Sequence, residues 1–532
     1  MSSVDVDLGE LLAKVLPTDV KVTIRHVSST PSATTALFAA SPGEEAEPTF
    51  CESHFLSASV TPAGKEDGAE IIIYGIEVLV YTTAHLTTIF VSKADSTGHL
   101  HFLNVAPKSS ILRRITNTFL SFLVQTHQRP GVRLVVSLFA RAQNQYLFPG
   151  SIENSEKHVL DDRGLIKWWC RALDPILREY EPESTSQTQE KKHEESSRAS
   201  ATAYLIVPSC DRFETRGFFP QSAKADDQSH PRWLNAYPLR QLCSKPDAPP
   251  RSLVPRFPDD PKTRFLIDLD DELPQGETSG DVSREGVGQW KSVKSLDQFW
   301  EMMAFRQECS AGRLVGFLWL VINPPGVVNS NPMLSSTDGL AETKDIPKPE
   351  TRLSTSDVTT NSEQGQTTED QAPAIGDEVT AQPSEQAKTQ HANDGSAFYW
   401  PQAGRGHAVL SEEYYKAATD FLLTQDFYDE EVSFASTKAF NDKVAALADE
   451  LWIGQQVVGR NSDEQVQSTA SSQTSAPVAN TLLVRKRKKD DGAGSTSATP
   501  DHSASGSSQE QSSQDTGVNV LQAGLIRKKK KT

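Results

Sequence analysis

Four stretches of the sequence place residue types where they could do chemistry. In RFPDDPKTRFLIDL (256–269), Asp259 and Asp260 stand side by side, with Lys262 and Arg264 close behind. Pro261 biases Asp260 towards an extended backbone. Such a carboxylate pair could take a proton from an incoming lysine ammonium, or it could cap a helix beginning near Pro261. In 138–171 (LFARAQNQYLFPGSIENSEKHVLDDRGLIKWWCR), Arg141, Tyr146, His158, Trp168 and Trp169 fall within one strand–loop–helix unit. Aromatic walls with a few polar groups suit a small-molecule pocket or a lysine channel, although tandem tryptophans and a lone histidine also serve as core. No HxxxH or HExxH spacing is present, so no metal is expected. In 92–114, Lys108, Ser109, Ser110, Arg113 and Arg114 surround an expected helix start. There, free N–H groups would favour an anion such as a pyrophosphate or would simply be capped. The last stretch is a pair of basic clusters, LLVRKRKK (482–489) and LIRKKKK (525–531). Each follows a short apolar anchor, as nuclear-import or nucleic-acid-binding segments do.

The elements that must position these residues follow from periodicity. IIIYGIEVLVY (71–81) and LTTIFVS (86–92) read as two buried strands of a hairpin. A helix is expected over 109–125, with Ile111, Ile115, Phe119, Phe122 and Leu123 inward. RLVVSLF (133–139) reads as a third strand, 165–180 as a helix, 293–313 as a helix and 314–322 as an apolar strand. The mixture implies an α/β core, a sheet flanked by helices.

Composition sets the boundaries. The chain has 532 residues, only 37% hydrophobic, with a net charge of -17. No Phe, Tyr or Trp occurs between Trp319 and Phe398 or after Trp452. Polar segments of this kind cannot offset an ordering entropy of roughly 1–2 kcal/mol per residue. A disordered insertion at 328–395, a disordered tail at 457–532 and a mobile loop at 183–200 are expected, leaving one interrupted domain over 1–456. Five scattered cysteines without a CxxC pair fit a reducing compartment. No apolar run approaches the ~20 residues of a membrane span, and no leader is recognised at the N-terminus. An intracellular soluble protein is expected. No GxxxxGK[ST], kinase signature or GxSxG occurs, so nucleotide hydrolysis, kinase and α/β-hydrolase chemistry have no support.

FVSKAD (90–95), LFARAQNQYLFPGS (138–151), KHVL…KWW (157–169) and FPDDPK.RF (257–265) occur in one order. Together they resemble the fungal histone H3 lysine-56 acetyltransferases, the regulator of Ty1 transposition family, over about residues 5–456. The resemblance implies a CBP-type acetyltransferase-like fold, a central mixed β-sheet surrounded by helices, with acetyl-CoA as co-substrate and no metal. It assigns cofactor contacts to Ala94, Asp95, Ser96, Ala106, Pro107, Lys108, Ser109, Ser110, Phe139, Gln143, His158, Val159, Leu160 and Trp168. Trp169, Tyr146 and Asp260 would form the substrate-lysine channel, with Asp259 beside it. Lys262 would be autoacetylated, with Arg264 nearby. Implied substrates are lysines of histone H3, chiefly lysine 56 and also tail lysines such as 9 and 27. Implied partners are histones H3–H4, an anti-silencing-function chaperone and a nucleosome-assembly-protein-type chaperone, with DNA contact by the basic tail an open alternative. Nuclear action in replication-coupled nucleosome assembly and the DNA damage response follows from the same resemblance. The rival expectation is a catalytically weak histone-chaperone adaptor.

Overall fold

The β-branched runs that dominate the first hundred residues form the long strands of one sheet. A computed structural model describes residues 6–41, 43–64, 69–103, 108–183, 198–243, 245–273, 289–309, 312–325 and 396–462. All lie in the first of two units, Met1–Ser471. The insertion 328–395, most of the loop 183–200, both basic clusters, Ala106 and Pro107 lie outside the described residues, as do the side chains of Lys108 and Ser109.

The strands are β1 (Lys21–Ser29), β2 (Ser32–Thr34), β3 (Thr49–Val60), β4 (Ile71–Thr82), β5 (Leu86–Ser96), β6 (Arg133–Arg141), β7 (Ser200–Ile206), β8 (Trp233–Leu234), β9 (Val315–Asn323), β10 (Ala408–Leu410) and β11 (Gln455–Val458). The helices are α1 (Leu8–Val15), α2 (Lys108–His127), α3 (Asp162–Arg178), α4 (Arg212–Arg216), α5 (Leu239–Leu242), α6 (Pro261–Asp270), α7 (Leu296–Met303), α8 (Glu412–Leu422) and α9 (Glu430–Leu447). The sheet order is β10-β1-β3-β4-β5-β6-β9-β7-β8, with β11 on β1 and β2 on β3. β4 and β5 form the expected antiparallel hairpin. β5 and β6 run parallel, joined through α2, so the end of β5 and the start of α2 both flank the crossover.

Alternation along the strands buries both faces. Leu318, Leu320 and Ile322 of β9 join the core under α1, α2 and α3. Phe317, Trp319 and Val321 join the opposite core with Phe265 of α6 and Phe299 of α7. On that second face, α8 and α9 cover Val27, Phe55 and Ile72. The mixed sheet flanked by helices is therefore the architecture expected from the sequence.

Two expectations need correction. The helix expected over 293–313 is only eight residues, Leu296–Met303. Ser295 caps its start by accepting from the Gln298 N–H, and a 3-10 turn, Gln307–Cys309, follows. The expected domain edge at 456 falls inside β11, which pairs with β1, and Asn461 still bridges Pro17. The ordered chain thus continues past the last aromatic residue, Trp452, because backbone pairing rather than an aromatic side chain holds this edge.

Candidate active site

Ala94, Asp95 and Ser96, the end of β5, line one wall of a groove of about 500 Å³. Facing them are Trp168 and Trp169 from α3 and the segment carrying His158, Val159 and Leu160. The two indoles meet edge-on, centroids 4.9 Å apart at 88°. Trp169 is both core and wall, so the two sequence readings of this pair coexist. Arg113, Lys167 and Arg171 bring positive charge to the same groove. Burial, then the neighbouring Arg171 and Arg114, lower the Arg113 pKa.

Asp95 sits at the centre of this geometry. Its carboxylate accepts from the backbone N–H groups of Ser96 (2.8 Å), Tyr146 (2.7 Å) and Leu147 (3.1 Å) and from Lys157 Nζ (2.9 Å). It therefore ties β5 to the loop after β6 and to the loop before α3. Gly98, at φ 94°, makes the turn beyond β5, and a Cβ there would lie 2.7 Å from the Asn154 amide nitrogen.

A narrow neck of about 40 Å³, lined by Phe139, Tyr146, Trp169 and neighbours, adjoins the groove. The Tyr146 hydroxyl donates to the Arg141 carbonyl oxygen, and burial pushes its pKa up to about 12. Tyr146 is thus a wall with its proton committed. Beyond the neck lies a second groove of about 490 Å³, whose lining includes Asp259, Asp260, Arg264 and Asp268. Gln143 and Tyr146 line both grooves.

Asp260 is the N-cap of α6: Oδ1 accepts from the Lys262 N–H at 2.8 Å, and Oδ2 pairs with Lys262 Nζ. Both side chains are sealed from solvent, and the Lys262 ammonium lies 4.3 Å from the Phe317 ring centroid. Burial lowers the Lys262 pKa while Asp260 pulls the other way. Asp259 has a left-handed φ of 56° and is exposed, with Oδ2 3.2 Å from Lys93 Nζ. Lys93 also donates to Glu77 at 3.1 Å. Burial opposes its charge, yet Glu77 and Asp259 raise its pKa.

The fold therefore gathers Ala94, Asp95, Ser96, Gln143, His158, Val159, Leu160 and Trp168 in the first groove. Phe139 falls at the neck and second groove instead. Ser110 is buried at the start of α2, its hydroxyl without a partner among the described residues, and does not line the groove. Arg114 turns away and donates to the Val15 carbonyl oxygen. Lys157, Lys167, Arg171 and Lys93 were not singled out from the sequence, because isolated cations on an amphipathic helix or strand end read as a solvated face.

A cation-rimmed groove with aromatic walls suits a phosphate-bearing cofactor, and the groove across the neck mixes the carboxylates of Asp259, Asp260 and Asp268 with Lys93, Arg141 and Arg264. Elsewhere, the described residues include one group able to hold a metal: Glu52, His54 and His127, all buried. Sequence spacing missed it because the third member lies far along the chain.

The histone acetyltransferase KAT11-type domain family matches residues 8–133 and 129–443. Histone acetyltransferase rtt109 of Aspergillus flavus is 61% identical over 100% of both chains. Its Schizosaccharomyces pombe namesake is 34% identical over 47% of this chain and 56% of its own. The crystal structure of Rtt109 from Aspergillus fumigatus matches with a TM-score of 0.71 at 63% identity, covering 86% of this chain and 100% of the other. By sequence and by fold, the chain belongs to the KAT11-type histone acetyltransferase family.

Proposed function

We propose that the chain moves acetyl from acetyl-CoA to lysines of histone H3, chiefly lysine 56 and also tail lysines such as 9 and 27. In this reading it works in the nucleus with an anti-silencing-function chaperone and a nucleosome-assembly-protein-type chaperone, in nucleosome assembly behind replication and in the DNA damage response. The observation that carries it is the pair of unlike grooves joined at the neck between Tyr146 and Trp169. The first, with Arg113, Lys167 and Arg171, takes the phosphates of acetyl-CoA against Ala94–Ser96, His158, Val159, Leu160 and Trp168. By the family resemblance, Ala106, Pro107, Lys108 and Ser109 would add to this phosphate site, while buried Ser110 would act only from behind the wall. The second groove, with Asp259, Asp260 and Asp268 among its lining, takes the substrate lysine and its flanking residues.

Bound acetyl-CoA supplies the thioester. The chain's own work is to deliver a neutral amine. A free lysine has a pKa of about 10.4. Entering the neck strips its water, which favours loss of the proton. The amine then attacks the thioester carbonyl, the C–S bond breaks, and the thiol leaves. Asp260 guides the cation in and takes its proton directly or through water. In the unmodified protein Asp260 is occupied by Lys262. Acetylation of Lys262 would remove that ammonium and release one carboxylate oxygen towards the groove. Asp259, steered by Lys93, and Arg264 shape the entrance.

The test is acetylation of H3–H4 by the purified chain with acetyl-CoA, with and without the anti-silencing-function chaperone, read by mass spectrometry at each lysine. Chaperone-stimulated acetyl on lysine 56 of H3, with acetyl on Lys262 of the enzyme, is expected. Transfer confined to other lysines, or insensitive to the chaperone, would refute the finer assignment.

A further inference from the structure

The end of α2 away from the grooves closes over a buried polar cluster. Glu52 and His54 stand two residues apart on β3, so both project from one side of the sheet. His127 is the last residue of α2. One donor atom from each lies within 4.8 Å of the others. His127 Nε2 is 2.8 Å from Glu52 Oε1, and His54 Nε2 is 3.8 Å from Glu52 Oε2.

The outward-facing nitrogens are already engaged. His127 Nδ1 lies 2.9 Å from the Leu123 carbonyl oxygen, which can only accept. His54 Nδ1 lies 3.0 Å from His26 Nε2. The bond to a carbonyl fixes the His127 tautomer whose Nε2 presents a lone pair inward, the usual outer shell of a metal-bound histidine, and His54 can present its Nε2 lone pair in the same way when its Nδ1–H donates to His26. His54 Nε2 itself is fully buried and has no hydrogen-bond partner among the described residues.

We propose that Glu52, His54 and His127 form a structural site for a divalent transition-metal ion of the zinc class. A proton shared between Glu52 and His127 would meet their needs and leave His54 Nε2 unmet, a costly state for a buried polar atom. An ion satisfies all three side chains. Two imidazoles and a two-oxygen carboxylate give four donors, the number zinc takes at about 2.0–2.2 Å. Small side-chain rotations draw the most distant pair together. His26 and His407 stay outside: His26 Nε2 is spent on His54, and His407 Nδ1 accepts from the His26 N–H at 3.1 Å. None of the three ligands lines either groove. The ion staples the C-terminal end of α2 to β3 and takes no part in transfer.

The full-length chain, stripped with a chelator, is incubated with zinc, freed of excess by gel filtration and assayed by elemental analysis and thermal unfolding. One zinc per chain and a Tm raised by a few degrees are expected. Cobalt in its place should show the visible bands of a four-coordinate N/O site. His54→Gln should abolish both retention and the Tm rise. Should that variant not fold, the wild-type stoichiometry and Tm decide. Zinc content near background with no Tm change would overturn the proposal and leave a protonated Glu52–His127 pair. Retention by a folded His54→Gln variant would overturn it too, since the ion would then lie elsewhere.

Discussion

Asp95 accepts four hydrogen bonds, one of them from a lysine whose side chain is only 4% exposed. Asp95→Ala would strand the Lys157 ammonium and free the Tyr146 loop. Breaking one side of a buried ion pair costs about 3–5 kcal/mol. A Tm loss on the order of 5–10 °C is expected, with a raised KM for acetyl-CoA. An unchanged Tm in a thermal melt would mean that Asp95 does not hold the groove together. The acidic pair requires a different variant set, because Asp260 serves both α6 and Lys262. Asp259→Ala with Asp260→Ala should lower kcat on the order of 10²-fold while acetyl-CoA affinity stays nearly constant. Adding Lys262→Met removes the stranded cation, so it should restore part of the lost stability without restoring turnover. Collapse of acetyl-CoA binding with intact turnover of the bound complex would refute the assignment of Asp259 and Asp260 to the substrate side.

At the scale of elements, His99 links the turn after β5 to α9, its Nε2 lying 2.9 Å from Ser433 Oγ. Burial, then the nearby His101, lowers its pKa to about 4. The unfolded chain, with an ordinary value near 6.5, takes up this proton first as pH falls. Stability from neutral His99 is therefore complete above about pH 6.5 and is lost towards pH 4, at roughly 1 kcal/mol per pH unit. His99→Gln should flatten that acid limb in denaturant titrations run at several pH values; an equal slope in both proteins would exclude His99 as its source. The elements legible in the sequence were those buried on a regular period: the 71–92 hairpin, β6, β9 and the inward stripe of α2. Residues 293–313 misled because their apolar residues are shared between a short capped helix, a 3-10 turn and an exposed Phe305. The aspartate pair could be found from its adjacency, but not its division of labour. The capping of a helix near Pro261 was legible in the sequence; the fold adds that Asp260 is the sealed cap and Asp259 a surface group held in a left-handed backbone. The cations of the first groove stayed hidden because nothing in a sequence says which side of an amphipathic helix lines a cavity.

At the scale of the whole molecule, charge is divided unevenly. Ten basic and seven acidic residues in 463–532 leave -20 on the rest of the -17 chain. A body of that charge attracts a basic histone substrate from a distance and repels DNA. The Debye length shortens from about 30 Å at 0.01 M salt to about 8 Å at 0.15 M, so the attraction should fade over that range. The full chain acting on H3–H4 is therefore expected to lose kcat/KM several-fold as salt rises. The loss should fall on the histone KM, with kcat nearly constant, because in the proposed route the substrate lysine is shielded from solvent at the neck before transfer. Steady-state kinetics at four ionic strengths, with acetyl-CoA saturating at each, make the measurement. If kcat fell while the histone KM held steady, salt would be acting inside the site, on Asp260 and its neighbours, and the steering argument would fail. If neither moved, histone capture would rest on short-range contacts in the second groove, and its rim, with Asp259, Asp268 and Arg264, would become the place to alter substrate choice.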